Sequence, residues 1–481
     1  MENRSVVTPA DSSSNTSARP IAAATKMILE APILPTLFRL SVPNVLNLLA
    51  FVGLITFDGL FVGRLGADAL AGVSLAFPWV MLMQHTAASG MGGGVSSAIA
   101  RALGARRTDL ADELAAHAFA VALVLAALFS LLMLASAPFL YRWMGGQGEV
   151  LDAALAYSNA AFTGAVSVCM LNLLANVVRG TGNMTLPAAT IVGSVLLHII
   201  VSPMMIFGFG PIPALGPAGA GWGLIASFGA GSLVLFVYLR SRRSLVRLRF
   251  RGILLRRERF FEILKVGIPG MINVIITNLS VVVLTGIASH LGRNVAIGYG
   301  MGARLEYILI PLAFGFGTAI VTMVGTNWGA KQQARAYQIA WIGGVTVALC
   351  CGVIGVFFAM YPQLWMGLFS TNEEIVSVGS SYLRTVGPVY AFYGLGMALY
   401  FAAQGFGNVL LPAAANAVRL LAGAGCGLIA IKFFGSGSTG FFLSIGAGFI
   451  VYGLLNVIVL LRTSIGKQRR ASPYLLATWS K

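Results

Sequence analysis

The sequence predicts an all-α polytopic membrane protein: twelve transmembrane helices in two six-helix lobes related by a pseudo-twofold axis along the membrane normal. Three observations carry this. Of 481 residues, 57% are hydrophobic and 10% charged, and the mean hydropathy is +0.85, where a soluble chain would carry roughly a quarter charged residues. Apolar stretches long enough to cross ~30 Å of hydrocarbon as helices recur from residue 37 to residue 462. The chain also repeats itself.

In order, the spans read 37–63, 69–100, 114–138, 151–178, 184–208, 218–239, 265–289, 295–327, 336–361, 378–403, 410–433 and 438–461. None of the short alternating segments of a β-barrel is visible. Residues 1–34, opening MENRSVVTPADSSSNTSARP, are Ser/Thr-rich without an apolar core, and read as a disordered cytoplasmic tail instead of a cleaved signal peptide. Residues 35–239 form the expected N-lobe, 240–264 a basic linker, 265–462 the C-lobe and 463–481 a second cytoplasmic tail.

The repeat sets the architecture. RGTGNMTLPAAT (179–190) is echoed by QGFGNVLLPAAA (404–415), identical at seven of twelve positions and 225 residues on. LSVP ending at Pro43 answers VGIP ending at Pro269, RLGADALAG (64–72) answers HLGRNVAIG (290–298), and GAR (104–106) answers GAK (329–331), all within one residue of that offset. Six spans per half is an even number, so the halves share one orientation, the parallel-repeat plan of many secondary transporters. Small-residue clusters such as SGMGGGVSSA (89–98) read as packing seams or flexible joints.

The net charge of +17 is distributed as topology, which sets nucleic-acid binding aside. Ten Arg/Lys against two acids lie between Arg240 and Lys265, and Arg106, Arg107, Arg179, Lys331, Arg335, Arg462, Lys467, Arg469 and Arg470 fall on the same side as both termini. The positive-inside rule makes that side cytoplasmic in a multi-pass protein of the cytoplasmic membrane. The linker, as a basic loop or in part an interfacial amphipathic helix, would meet anionic lipid. Cys169, Cys350, Cys351 and Cys426 lie in apolar spans without CxxC or a neighbouring histidine, as packing residues do.

Pro43 followed fifteen residues later by Asp58, then FVGRLGADALAGVSLAFP, together with GAR after span 2, NVVRGTGNMTLP between spans 4 and 5 and MVGTNWGAK after span 8, resembles the multidrug and toxic compound extrusion (MATE) family over about residues 35–460. The resemblance implies two six-helix lobes around a V-shaped cavity. It implies export of cationic or amphipathic small molecules in exchange for H⁺ or Na⁺, with no other cofactor, by a monomer.

Asp58 is the residue that most needs a reason. It sits in the outer half of span 1, where an unpaired carboxylate costs ~3 kcal/mol or more. Asn47, Phe51, Leu54 and Asp58 share a helical face, Ser194, His198 and Ser202 form a polar stripe on span 5, and Asn172 and Asn176 lie a turn apart on span 4. The resemblance implies ion coupling at Asp58. It places Asn and a second Asp or Asn in many members where this chain has His198 and Ser202. The lost oxygen ligand and gained imidazole favour H⁺ over Na⁺, with an Asp58–His198 pair at the centre and Ser202 and Asn172 beside it.

The second lobe departs from the pattern. Leu284 stands at the repeat position of Asp58, and Thr277 and Tyr393 occur where some members carry acids. Glu306 and Arg419 should reach similar depth, which leaves two readings of Glu306: an ion pair, or a cavity acid for cationic cargo. Tyr390, Tyr393, Met397 and Tyr400 form a stripe suited either to packing or to flat cationic drugs. Pro43 is the expected point of helix bending. An ATP-driven pump is set aside because GxxxxGK[ST] is absent, and an enzyme because neither HExxH nor GxSxG occurs. A flippase for a lipid-linked metabolite on the same plan remains the alternative, although only Arg304 and Arg419 could line its cavity.

Overall fold

The computed structural model describes residues 23–211, 213–249 and 255–471, with the side chains at 48, 49, 51, 52 and 464–471 left out. Expectations for residues 1–22, 250–254 and 472–481 and for the Phe51 side chain lie outside the described residues. Every element described is a helix.

The N-lobe contains span 1 (Ile33–Gly63), span 2 (Ala67–Gly104), span 3 (Thr108–Trp143), span 4 (Gly148–Thr163 and Ala165–Gly180), span 5 (Thr185–Phe207) and span 6 (Pro217–Arg240). The C-lobe contains span 7 (Arg257–His290), span 8 (Arg293–Gly329), span 9 (Gln333–Met360), span 10 (Glu373–Phe406), span 11 (Leu410–Phe434) and span 12, which lies in Gly437–Ala471. Twelve spans in two lobes is the architecture expected.

Backbone conformations repeat with the sequence. The left-handed or glycine-only φ values pair off as Gly66 and Gly292 (both 125°), Arg106 and Lys331 (59° and 62°), Gly182 and Gly407 (86° and 80°) and Gly210 and Gly435 (60° and 61°). The one-residue drift in the repeat has a structural cause. Gly72 to Gly104 spans 32 residues and Gly298 to Gly329 spans 31, and span 2 alone of the two carries a π-helical turn, Thr86–Met91. A π-bulge is one extra residue accommodated inside an α-helix.

Each lobe has its own apolar core, and two spans straddle them. Leu54 and Val62 of span 1 belong to the N-lobe core, whereas Leu37 and Leu40, nearer its start, belong to the C-lobe core. Span 7 mirrors this, with Ile263 in the N-lobe core and Val266, Leu284, Ile287 and Ala288 in the C-lobe core. The lobes meet at the end of the bundle that carries both described termini. There a Cβ on Gly104 would strike the Thr326 carbonyl and one on Gly329 the Arg101 carbonyl, a reciprocal contact across the pseudo-twofold. Thr322 Oγ1 donates to the Arg179 carbonyl (3.2 Å) and Arg101 Nη1 to the Gly405 carbonyl (3.3 Å). Gly90 lies against the backbone of Gly270 and Met271 near mid-span. Beyond that level no described hydrogen bond crosses between lobes, and Ala67–His85 and Gly148–Thr163 make no extended contact with Arg293–Ala303 or Glu373–Val386, so the lobes part toward the opposite face.

One expectation changes and one open reading narrows. The N-terminal tail, expected to be disordered to residue 34, contains the helix Ala23–Glu30, whose Ile28 is buried and whose last carbonyls are capped across the seam by Asn327 and Arg335. Residues 241–249 of the linker are coil, and helix resumes at Arg257 as the start of span 7. The coil is pinned to span 3: the Arg247 N–H donates to Asp112 Oδ1 (2.7 Å) and the Arg256 N–H to His117 Nε2 (2.9 Å). In this conformation Pro43 lies inside the continuous helix Ile33–Gly63. A bend of 49° separates the halves of span 4 at Gly164, where a side chain would collide with Ile225.

Candidate functional site

Asp58 lies five residues before the end of span 1, on the side where the lobes diverge. Its Oδ1 is 2.7 Å from His198 Nε2 and accepts from Ser202 Oγ at 3.2 Å. The spacing of His198 and Ser202, one turn apart on span 5, delivers both donors to one oxygen. His198 is fully buried, while the Asp58 side chain keeps 14% of its surface open. Nδ1 of the imidazole faces the Gly223 backbone of span 6 without a well-formed hydrogen bond. With Asp58 ionised, Nε2–H donates and the ring is fixed in that tautomer. Gly223 permits the arrangement, since a Cβ there would run into Ser202. Tyr157 of span 4, buried and within electrostatic reach of Asp58, is a neighbour that sequence reading missed. Its signal was present: Tyr157 and Tyr382 are 225 residues apart.

The other N-lobe candidates lie deeper. Asn172 Nδ2 donates to Gln84 Oε1 (3.0 Å) and to the Val168 carbonyl (2.8 Å), so its hydrogen bonds go to span 2 and its own helix instead of Asp58. Asn176 Nδ2 donates to the Ala88 carbonyl (2.9 Å) inside the π-turn, filling an acceptor that the widened helix leaves free. Asn47 is buried on span 1 with Oδ1 unpartnered.

The C-lobe residues converge on a different arrangement. Glu306 begins the second helix of span 8, Glu306–Gly329, after a break at Arg304 and Leu305. Its Oε1 accepts from Tyr382 Oη (2.9 Å) and, more weakly, Tyr390 Oη (3.5 Å). The expected alternative of a Glu306–Arg419 ion pair is not formed: among the described residues no carboxylate oxygen lies within 4.0 Å of Arg419. Arg419 sits instead among rings, its guanidinium carbon 5.7 Å from Tyr393, 5.6 Å from Phe449 and 5.9 Å from Tyr452. Tyr390, Tyr393, Met397 and Tyr400 are all buried inside this lobe. Tyr393 packs on Phe449 (4.8 Å between centroids), and Tyr400 Oη accepts from Gln404. The stripe is therefore engaged by the protein itself in this conformation.

A twelve-span bundle of two repeated lobes, joined at one face and parted at the other, defines a multi-pass membrane protein of the secondary-transporter class. The MatE family model matches residues 43–204 and 269–429, one segment in each lobe, and the chain belongs to that family. It is 26% identical over 376 residues to the FAD transporter of Shewanella oneidensis, covering 78% of this chain and 82% of that one. It is 24% identical over 432 residues to the probable multidrug resistance protein NorM of Thermotoga maritima, covering 88% and 91%. Among solved structures it is similar to an outward-facing multidrug resistance MATE transporter of the MOP superfamily (TM-score 0.84, 25% identity, 94% of this chain and all of that one). A MATE structure in the bent conformation gives a TM-score of 0.85 at 25% identity, covering 94% of this chain and all of the other.

Proposed function

We propose that the chain is a proton-coupled antiporter that exports amphipathic compounds across the cytoplasmic membrane, with its termini in the cytoplasm. The observation that carries this reading is the Asp58–His198 contact of 2.7 Å at the mouth of the N-lobe. A carboxylate so placed can alternate between an ionised form held by two donors and a protonated form that no longer accepts both. Protonation of Oδ1 turns an acceptor into a donor, loosening span 1 from His198 and Ser202 on span 5. Because Leu37 and Leu40 of the same helix lie in the C-lobe core, that loosening reaches the seam between the lobes. Na⁺ wants several oxygen ligands, and here an imidazole nitrogen takes the place of one.

One proton crossing 100 mV releases ~2.3 kcal/mol, enough for roughly fiftyfold accumulation of a neutral cargo. No ATP step or chemical reaction is required, and the reading is of a transporter, not an enzyme. Similarity to multidrug resistance proteins supports drug export, and similarity to an FAD transporter supports a flat amphipathic metabolite as an alternative cargo. The test is ethidium efflux from proteoliposomes under an imposed proton or sodium gradient. Efflux driven by the proton gradient alone is expected, and dependence on sodium alone would overturn the proton assignment.

A further inference from the structure

We infer that the C-lobe holds a receptor for the oxyanion, carboxylate or phosphate, of an aromatic cargo, with Arg419 as its charged element. The inference rests on the transporter reading and names the cargo's chemistry.

Arg419 is 7% exposed and has no acid in contact among the described residues. A buried guanidinium is ordinarily paired, because leaving it uncompensated is costly. Here its hydrogen bonds go to neutral groups: Nε–H donates to Asn416 Oδ1 (2.7 Å) and Nη2–H to Ser280 Oγ (3.3 Å). Nη1 donates to none of the described residues, so part of the five-donor fork is open. Glu306 is near enough to ease the burial electrostatically, yet its hydrogen bonds come from Tyr382 and Tyr390.

The surroundings continue the polar surface. Asn273, Thr277 and Ser280 line one face of span 7, and Asn416 Nδ2 donates to Asn273 Oδ1 and Thr277 Oγ1, both at 2.9 Å. Asn273 and Thr277 are half-buried, so the row reaches accessible space. Tyr393, Phe449 and Tyr452 fix the guanidinium plane without neutralising it, which preorganises a fork suited to bidentate oxyanions. The fold does not require an arginine at this level. The residue 225 positions earlier is Ser194, whose hydroxyl returns to its own helix at Thr190. The rings that the sequence offered to a cationic drug already hold a cation of the protein's own, and the open valence is for an anion.

The test is carboxyfluorescein binding to the full-length protein in lipid nanodiscs, read by fluorescence anisotropy, with benzoate and phenyl phosphate as competitors. Saturable binding is expected, displaced by at least one competitor; the better one identifies the anion. Arg419→Gln should weaken binding tenfold or more and Arg419→Lys less. Should Arg419→Gln fail to fold, Asn273→Ala and Thr277→Val give the reading, each expected to weaken binding two- to fivefold. No saturable binding, no displacement by either competitor, or unchanged affinity in the folded variants overturns the inference. If ethidium is exported but carboxyfluorescein does not bind, the anion site falls and the exporter stands. If carboxyfluorescein binds but neither dye is exported, the exporter falls and the site stands.

Discussion

The two lobes answer the same structural question with opposite chemistry. At the level of Asp58 and His198 in the N-lobe, the C-lobe has Leu284 and Gly423, and Leu284 packs 3.8 Å from where a Gly423 side chain would begin. One turn inward the relation inverts, with Ser194 in the N-lobe and Arg419 in the C-lobe. Prolines, turn glycines and left-handed residues are shared, so the backbone needs neither charge. What the fold needs is common to both repeats, and what the function needs is found in one.

The largest expected effect comes from forcing the lobes to agree. Leu284→Asp would place a carboxylate at a buried position whose neighbour offers no donor, at a cost of about 3 kcal/mol or more, read as a fall in melting temperature in detergent. A stable, fully folded Leu284→Asp protein would mean that the far end of the C-lobe is wetter than its packing implies. Next is His198→Ala, which leaves Asp58 only the Ser202 donor. Proton-driven efflux should fall about tenfold, the loss of one charge-assisted hydrogen bond. His198→Gln, which retains an N–H, should recover part of it.

The seam offers a third test, because it belongs to both lobes at once. Gly104→Val should break the reciprocal glycine contact and populate a form open at the terminal face, seen as a longer spin-label distance across that face. The mildest effect is expected for Ser202→Ala, whose bond to Asp58 is the longer one at 3.2 Å. Efflux should fall roughly threefold, in keeping with ~0.5–1 kcal/mol for a neutral donor.

The N-lobe site was readable because it is a pattern along helices. Asp58 stood out against its apolar span, and His198 and Ser202 fell on one face of span 5. The C-lobe arrangement depends on how spans 8, 10, 11 and 12 rotate about their axes, which a helical wheel does not fix. The sequence therefore left the rings open to packing or cargo and Glu306 open to an ion pair or a cavity role, whereas in the structure tyrosines hold Glu306 and aromatic rings surround Arg419. Asn172 was expected beside Asp58, but its amide donates to Gln84 of span 2 and to its own helix, while Asn176, expected farther from Asp58, donates to Ala88 in the π-turn. The drift of the repeat from 226 to 225 residues was visible in the sequence. Its meaning, an inserted residue in Thr86–Met91, required the backbone.

The central claim is that the proton is handled by the N-lobe acid and not by the C-lobe one. Ethidium efflux driven by an imposed proton gradient should be measured side by side for Asp58→Asn and Glu306→Gln in proteoliposomes of equal protein content. The account predicts that Asp58→Asn loses efflux by more than tenfold while Glu306→Gln keeps most of it. Parental efflux in Asp58→Asn, or a loss in Glu306→Gln as deep as that in Asp58→Asn, would contradict it.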